Sequence, residues 1–241
     1  MTDAVSLDIS EVAGSFPAFR VALVVVDALV IPAGRPPMLE AFVEETATQV
    51  ARDLAGIDLA DVAELKAWRQ AYRAFGVKKT SYRSSVERLL KNIQRGAGLP
   101  RVNPLVDAYN AISALYRIPI GADDLDRVTP PLAFRYARPI DTFVALGDPA
   151  ATPDPPQAGE IVYADAEKCL CRRWNWYQDA RSATAPLTTR AVLTVQTLSG
   201  GDSELQKATA HLADLIGGCC GGRVRWAIAH AAASLVAVSR A

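Results

Sequence analysis

The period of the hydrophobic residues changes once along this chain of 241 residues, and the change limits the folds that the chain can adopt. In the first half, after one early apolar run, hydrophobic residues recur at helical spacing. From Pro131 onward they alternate with polar residues, as is typical of strands with one buried face. Helices first and strands later, without regular alternation of the two, favour an α+β fold over a doubly wound parallel sheet.

The first half of the chain combines one buried strand with several helices. The run FRVALVVVDALV over 19–30 is continuously apolar and rich in β-branched residues, which predicts a buried strand. Helical spacing follows over 38–55 and 60–75, and the segment SSVERLLKNIQR begins with capping-box spacing. Asn103 followed by Pro104 predicts the start of a further helix.

The second half is dominated by short strands. A helix with a capping box is predicted near its end, in SELQKATAHLADLIGG, and the final segment RVRWAIAHAAASLVAV fits a strand followed by a helix. At this length, with half of all residues hydrophobic, the chain is long enough for one large domain or two small ones. We predict a single domain over 16–241 after a flexible segment over 1–15. The predicted strands are LAFRYAR, DTFVALG, GEIVYAD, CLCRRWNW and AVLTVQTL.

The formal net charge of zero conceals a basic segment. Between Lys66 and Arg101 there are ten lysines and arginines and one acid, Glu87, and aromatic residues are interleaved with them. Such a segment fits either a polyanion-binding surface or an ordinary pair of amphipathic helices with a solvated basic face. The candidate RNA-binding residues are Lys78, Lys79, Arg83, Arg88, Lys91 and Arg95.

Cysteine and histidine patterns give no sign of a metal or a catalytic triad. The pairs Cys169/Cys171 and Cys219/Cys220 lack the spacers of zinc ligands, so we expect small buried side chains, no metal and no cofactor. Neither histidine adjoins a serine, cysteine or carboxylate in a triad-like pattern, so a histidine base is not expected. With no membrane-length apolar run, a cytoplasmic protein with reduced thiols is predicted.

The segment CRRWNW carries two tryptophans one residue apart. On a strand, Trp174 and Trp176 would face one way, and Arg173 and Asn175 the other. The indoles fit either the core or a stacking floor for a flat ligand, and we favour the core. Because a buried amide needs hydrogen-bond partners, Asn175, together with Arg173, is predicted to contact a ligand.

Several motifs occur in an order that resembles a known family. GLPRVNPLVDAYNAISALYRIPIGADDLDRV is followed by RYARPIDTFVALG, by GEIVYAD and by a threonine-rich turn before AVLTVQ. This succession, over roughly 68–196, resembles the tRNA-editing module of the bacterial phenylalanyl-tRNA synthetase beta subunit, and more closely the free-standing proteins built from that module. The resemblance implies a three-layer α+β domain with mixed sheets, flanking helices and a pocket between sheet and helices.

In that family the pocket takes the acceptor end of tRNA(Phe) wrongly charged with tyrosine and hydrolyses the ester. The resemblance therefore implies tRNA and an aromatic aminoacyl group as partners. The best catalytic candidates are Glu160 and Thr188, which the motifs imply, and Asn175, which the argument on CRRWNW favours. The resemblance implies as substrate-binding residues Asn103, Asp107 and Asn110 beside the pocket, Gly159 and Glu160 at its wall, and Thr184 and Thr189 at its rim, and the argument on CRRWNW adds Arg173 and Asn175.

Three positions depart from the family pattern. Gly121 stands where the synthetase module has a histidine, and Val195 or Gln196 stands where it has a glutamate. Tyr177 stands where the free-standing proteins have an arginine. Hydrolysis by positioning of a water remains compatible with these changes, because an aminoacyl ester is already activated.

Three functions therefore stay open from the sequence. The first is a stand-alone hydrolase of a mischarged aminoacyl-tRNA. The second is a non-catalytic protein that binds RNA or an aromatic amino acid in a degenerate pocket. The third is an accessory subunit whose pocket is vestigial.

Overall fold

The computed structural model describes residues 4–78, 81–148 and 150–239, and these contain two β-sheets. The six-stranded sheet has the order β10-β1-β4-β5-β6-β7 and is mixed, because β1 and β4 run parallel. The four-stranded sheet has the order β3-β8-β2-β9 and is antiparallel. The strands are β1 Ala4–Asp8, β2 Arg20–Asp27, β3 Ile120–Asp124, β4 Leu132–Tyr136, β5 Ile161–Ala164, β6 Cys169–Arg172, β7 Tyr177–Gln178, β8 Ala191–Thr197, β9 Arg223–Ala229 and β10 Leu235–Ser239.

Most of the helical residues precede the main run of strands, as the change of period predicts. None of the described helices is long and apolar enough to cross a membrane. The helices are α1 Ser10–Ser15, α2 Pro37–Asp53, α3 Ala63–Ala74, α4 Ser85–Gln94, α5 Pro104–Tyr116 and α6 Asp202–Cys220.

Strand β2 joins the layers of the fold. Its side chains at Ala22, Val24 and Val26 belong to a core shared with helices α2, α5 and α6. Those at Val21 and Leu23 belong to a second core against the six-stranded sheet. Because neighbouring side chains of a strand point to opposite faces, a strand buried on both faces reads as a continuous apolar run. The prediction of a three-layer α+β fold with mixed sheets and flanking helices is confirmed.

The N-terminal segment needs a correction over residues 4–15. The sequence predicts a flexible segment over 1–15, but β1 pairs with both β10 and β4, and α1 follows it. Val5, Leu7 and Ile9 are fully buried at alternating positions, which fixes the strand against the core. Pairing of a terminal strand into a sheet supplies the hydrogen bonds that keep such a segment ordered.

Two predicted strands and one predicted helix differ in the structure. The final segment forms the hairpin β9–β10, closed at His230 and Ala233, instead of a strand and a helix. The segment DTFVALG makes only isolated bridges at Val144 and Ala145. The strand predicted through CLCRRWNW ends at Arg172, and this early end shapes the site described next.

Candidate active site

The segment after Arg172 turns sharply because Arg173 and Trp174 both adopt positive φ, at 47° and 68°. The turn is held by the Arg173 amide, which donates to Glu160 Oε1 at 3.0 Å, and by the Trp174 amide, which donates to Ile161 O at 2.6 Å. The side chains of CRRWNW therefore do not alternate across a strand. Trp174 and Asn175 point into different parts of the interior.

Trp174 is fully buried in the core between the two sheets. Its ring makes edge contacts with Phe16, Phe19 and Trp68 at centroid distances of 5.0, 4.9 and 5.2 Å. The prediction of a core indole is confirmed for Trp174. Trp176 instead is only partly buried, packs edge-on against Tyr82 at 4.8 Å and lines a cleft.

The cleft has a volume of about 360 Å³ and opens at the edge strand β3 of the four-stranded sheet. Helices α4 and α5 form one side, and strands β5 to β8 form the other. This volume lies within the range of small-molecule sites, which are mostly apolar with a few fixed polar groups. The residues that line the cleft include Arg88, Tyr109, Asn110, Gly121, Asp123, Tyr163, Cys171, Asn175, Trp176, Tyr177, Gln178, Thr194 and Gln196.

A chain of hydrogen bonds fixes one polar wall of the cleft. The hydroxyl of Tyr72 donates to Asn175 Oδ1 at 2.9 Å, and Asn175 Nδ2 donates to Gln196 Oε1 at 3.1 Å. Gln196 Nε2 in turn donates to Thr194 Oγ1 at 3.0 Å. Buried polar networks of this kind hold side chains in one orientation, because a broken bond would leave a buried group unsatisfied.

Two further residues leave room and bonding capacity in the cleft. The side chain of Asn110 is buried on the cleft surface, and the described residues form no hydrogen bond with its amide. Gly121 lies opposite Thr194 across the two strands, and a Cβ atom added to it would meet no described heavy atom within 4 Å. A glycine inside a strand often marks a place where a ligand approaches the backbone closely.

Asp123 is a cleft residue that the sequence did not reveal. Ser182 Oγ and Gln178 Nε2 donate to its Oδ1 at 2.6 and 3.0 Å. Burial raises the pKa of the Asp123 carboxyl to about 7, although the bonds from Ser182 and Gln178 act in the opposite direction. A buried carboxyl that titrates near neutrality in a cleft is typical of functional sites. Asp123 stands two residues after Gly121, so on a strand both would face the same way. The acidic run GADDLD resembles a solvated turn instead, and for that reason the sequence did not indicate a strand here.

The structure places Asn103 and Asp107, both predicted beside the pocket, away from the cleft. Asn103 caps helix α5, accepting from the amide of Val106 at 3.0 Å. Asp107 is buried in an ion pair with Arg35 at 2.7 Å and also accepts from the amide of Val102. Neither side chain reaches the cleft, because both are committed to the N-terminal end of this helix, whereas Asn110 lies one turn further along.

We expect Asn103→Ala to lower the free energy of unfolding by about 1 kcal/mol, because it removes the helix cap. Its effect on any activity of the folded protein should be small, since the side chain does not line the cleft. Urea denaturation and ligand binding at matched folded concentration measure both quantities. A loss of binding without a loss of stability would return Asn103 to the site.

Glu160 was the leading catalytic candidate, and the structure places it outside the cleft. Its two oxygens accept from Arg172 Nε and Nη2, both at 2.9 Å, and Oε1 also accepts the Arg173 amide. Arg172 is itself 1% exposed, so the pair is internal. Gly159, with φ of +83°, makes the turn that precedes β5 and also lies outside the cleft. The side chain of Glu160 is therefore engaged in holding the CRRWNW turn.

The threonine-rich turn is separate from the cleft as well. Thr188 Oγ1 donates to Asp124 Oδ2 at 2.6 Å and accepts from the amide of Ala185 at 2.9 Å, so its hydroxyl is committed. Thr184 is half-buried and Thr189 is exposed. The structure does not bring these three threonines to the cleft with Asn110 and Asn175.

Arg173 lies beside the cleft rather than in it. Its guanidinium sits over the ring of Tyr82 at 3.7 Å and over that of Trp176 at 4.5 Å. It lines a neighbouring cavity together with Lys78 and Glu160. Cation–π contacts on two rings fix the ring of Trp176, which in turn forms part of the cleft wall.

The predicted basic residues divide into three groups. Arg88 and Lys91 lie at the mouth of the cleft beside Trp176 and Tyr177, and Arg88 is within 5.4 Å of the Tyr177 ring. Arg83 lines the same mouth but also forms an ion pair with the buried carboxylate of Glu87. Lys78 lines two side cavities, Arg95 is exposed at the end of α4, and Lys79 lies outside the described residues.

Comparison with known proteins assigns the chain to a family. A model of the B3/4 domain matches residues 67–214, more than half of the chain. The chain belongs to the B3/4 domain family. The B3/4 domain is found in the phenylalanyl-tRNA synthetase beta subunit, so the predicted resemblance is confirmed.

A solved structure agrees with this B3/4 assignment at the level of the fold. It is an N-terminal fragment of the phenylalanyl-tRNA synthetase beta subunit from Pyrococcus horikoshii, similar with a TM-score of 0.50 and 11% sequence identity. The match covers 92% of this chain and 50% of that chain, so the present chain spans half of the fragment's length. No curated protein sequence matches the chain.

Proposed function

We propose that this B3/4 protein binds the acceptor end of an aminoacyl-tRNA and hydrolyses the ester of an aromatic amino acid, with tyrosine on tRNA(Phe) as the leading substrate. The observation that carries the proposal is the cleft, whose lining residues all lie within the part of the chain that matches the B3/4 domain. The cleft has a polar wall fixed by hydrogen bonds and open space at Gly121. The fold similarity to a synthetase beta subunit supports a role in editing.

The size of the cleft decides what part of the substrate can enter. A volume of about 360 Å³ is at the lower end of small-ligand sites, so it suits an aminoacyl group and part of the terminal ribose. The rest of the RNA would remain on the surface at the mouth, where Arg88 and Lys91 meet the rings of Trp176 and Tyr177. Cations beside stacking rings are what single-stranded RNA ends require.

Selection of tyrosine over phenylalanine would require a polar partner for the phenolic hydroxyl. Asn175 and Gln196 are held in place on the polar wall and are the best-placed groups for this bond. A site built to bond a hydroxyl disfavours the analogue that lacks it, because its own buried groups are then left unpaired. Glu160 lies outside the cleft and is engaged by Arg172, so it is not placed for this bond.

A second function is favoured by a specific observation. The histidine of the synthetase module is absent at Gly121, and His211 and His230 contact Tyr116 and the β9–β10 turn instead of the cleft. The alternative is therefore a non-catalytic protein that binds RNA or an aromatic amino acid in the same cleft. The two functions differ in turnover, so a direct assay separates them.

The test is deacylation of a panel of charged tRNAs, including tyrosine and phenylalanine on tRNA(Phe) and tyrosine on tRNA(Tyr). We expect turnover of the tyrosyl ester on tRNA(Phe), and a loss of at least tenfold in Gly121→Val, whose added side chain would occupy the open space at a position where a Cβ meets no described heavy atom within 4 Å. Gly121→Ala should lie between the two. Absence of turnover on every member, with RNA binding retained, would contradict hydrolysis and support the binding protein.

RNA binding should depend on the cleft mouth. We expect Arg88→Glu combined with Lys91→Glu to weaken affinity for tRNA by at least tenfold and to reduce the slope of affinity against salt, because two phosphate contacts are lost. Lys207→Glu, an exposed change on α6, is the matched control. Equal affinities of the double variant and this control, measured over a range of salt concentrations, would rule out the mouth as the RNA contact.

A further inference from the structure

Two residues of the edge strand β3 point into the cleft from the same face. The neighbouring residues Ile120 and Ala122 belong to the core beneath helices α2, α5 and α6, so the alternation of the strand turns Gly121 and Asp123 the other way. Two residues along a strand are separated by roughly 7 Å. Gly121 and Asp123 therefore line the same cleft from successive positions on one face of β3.

The orientation of the Asp123 carboxyl is fixed by its neighbours. Both of its hydrogen bonds, from Ser182 and Gln178, reach Oδ1, and the described residues donate none to Oδ2. Gln178 Nε2 is also bonded to the carbonyl of Ala122, which anchors the orienting amide to the strand itself. Oδ1 thus fixes the orientation of the carboxyl group, while Oδ2 can accept a hydrogen bond from a water or a ligand in the cleft.

The groups around Asp123 are neutral acids rather than cations. Tyr109 from α5, Tyr163 from β5 and Cys171 from β6 line the same part of the cleft. Burial raises the pKa of each of these three side chains, so all remain protonated at neutral pH. The charges of Asp179, which favours the protonated form of Asp123, and of Lys168, which opposes it, are weaker influences than burial.

We propose that Asp123 is the general base of this site and takes a proton from the water that attacks the aminoacyl ester. This inference rests on the proposed hydrolase function and names the group that performs its proton transfer. The water oxygen forms a bond to the ester carbonyl carbon and its proton passes to Asp123 Oδ2. The bond between that carbon and the ribose oxygen then breaks, and the ribose oxygen leaves with the proton, so the carboxylate is regenerated.

The placement meets the requirements for such a base. A general base must lie within hydrogen-bond reach of the proton it removes and is most effective with a pKa near the working pH. Burial raises the pKa of Asp123 to about 7, and its two orienting bonds leave Oδ2 without a donor among the described residues in a cleft that Gly121 also lines. No other described carboxyl group lines this cleft.

The experiment compares wild type with Asp123→Asn in single-turnover deacylation of the most reactive member of the charged tRNA panel. Asparagine keeps the size and the accepting oxygen but cannot take a proton. We expect the rate at saturation to fall by about 100-fold or more, with the half-saturating concentration changed less than about threefold. Asp126→Asn, an exposed change in the same acidic run, should be unaffected.

The pH profile gives the second readout. Only the deprotonated carboxyl can act as a base, so the wild-type rate should rise with pH through about 7 and then level off. The residual rate of Asp123→Asn should lack this rise. A variant with an unchanged saturating rate but weaker binding would show that Asp123 holds a substrate group instead, and would overturn the base while leaving the hydrolase. Absence of turnover in wild type would overturn both.

Discussion

Glu160→Ala is expected to lower the free energy of unfolding by about 3–5 kcal/mol, because it strands a buried arginine without its partner. Arg172 is 1% exposed and directs Nε and Nη2 at the two oxygens of Glu160. Asp154 stays beside Arg172 after the change, but its side chain is 59% exposed, so it neutralises the charge only from the solvent side. Chemical denaturation of the variant at neutral pH measures the loss.

A matched control separates this internal pair from an ordinary glutamate. Glu167→Ala, at an exposed turn, should change stability by no more than about 0.5 kcal/mol. Replacing both partners, as Glu160→Leu with Arg172→Met, should recover part of the stability, since an apolar pair carries no desolvation cost, although the Arg173 amide loses its acceptor. If Glu160→Ala were as stable as Glu167→Ala, the pair would not hold the CRRWNW turn, and Glu160 would again be a candidate for chemistry.

This role of Glu160 also determines how the hydrolase proposal is tested. A variant that unfolds loses activity whatever its side chain did, so Glu160→Ala cannot separate catalysis from folding. Gly121→Val and Asp123→Asn act in the cleft without breaking an ion pair, and they are therefore the informative substitutions.

The sequence predicted the layers of the fold better than the path of its turns. The apolar run at β2 and the cap at Asn103 were sufficient for one central strand and one helix, because both signals are local. The turn after Arg172 depends on positive φ at Arg173 and Trp174, where neither residue is a glycine. Such conformations are imposed by contacts distant in sequence, here with Glu160 and Ile161, and leave no local signature.

The site was predicted in part for the same reason. Asn110 and Asn175 were expected near a ligand and do line the cleft, because a family motif pointed to Asn110 and the need of a buried amide for partners pointed to Asn175. Asp123 was missed because its position in the cleft depends on contacts distant in sequence. These are the pairing of β3 with β8 and the burial of the carboxyl group by elements from α5 to β6. An acidic pair after a glycine resembles a solvated turn until the edge strand is known.

Asp123→Asn is expected to be more stable than wild type at pH 8, by about 2–4 kcal/mol, while its catalytic rate falls. The pKa of Asp123 is raised from its ordinary value of 3.8 to about 7, and each unit corresponds to about 1.4 kcal/mol. A raised pKa means that the folded state holds the proton more tightly. Its contribution to stability is therefore complete below about pH 4 and is lost as pH rises through 7.

The stability difference between the two proteins should consequently grow with pH. It should increase by about 2 kcal/mol between pH 5 and pH 8, which for a chain of this length corresponds to about 4–8 °C in Tm. Asp126→Asn, an exposed change in the same acidic run, is the control. A difference that stayed constant with pH would mean that Asp123 is ionised without cost, and the base proposal would lose its physical support. A stability difference that grows with pH, together with slower deacylation by Asp123→Asn, would show that the Asp123 carboxyl lowers the stability of the fold but is needed for the reaction.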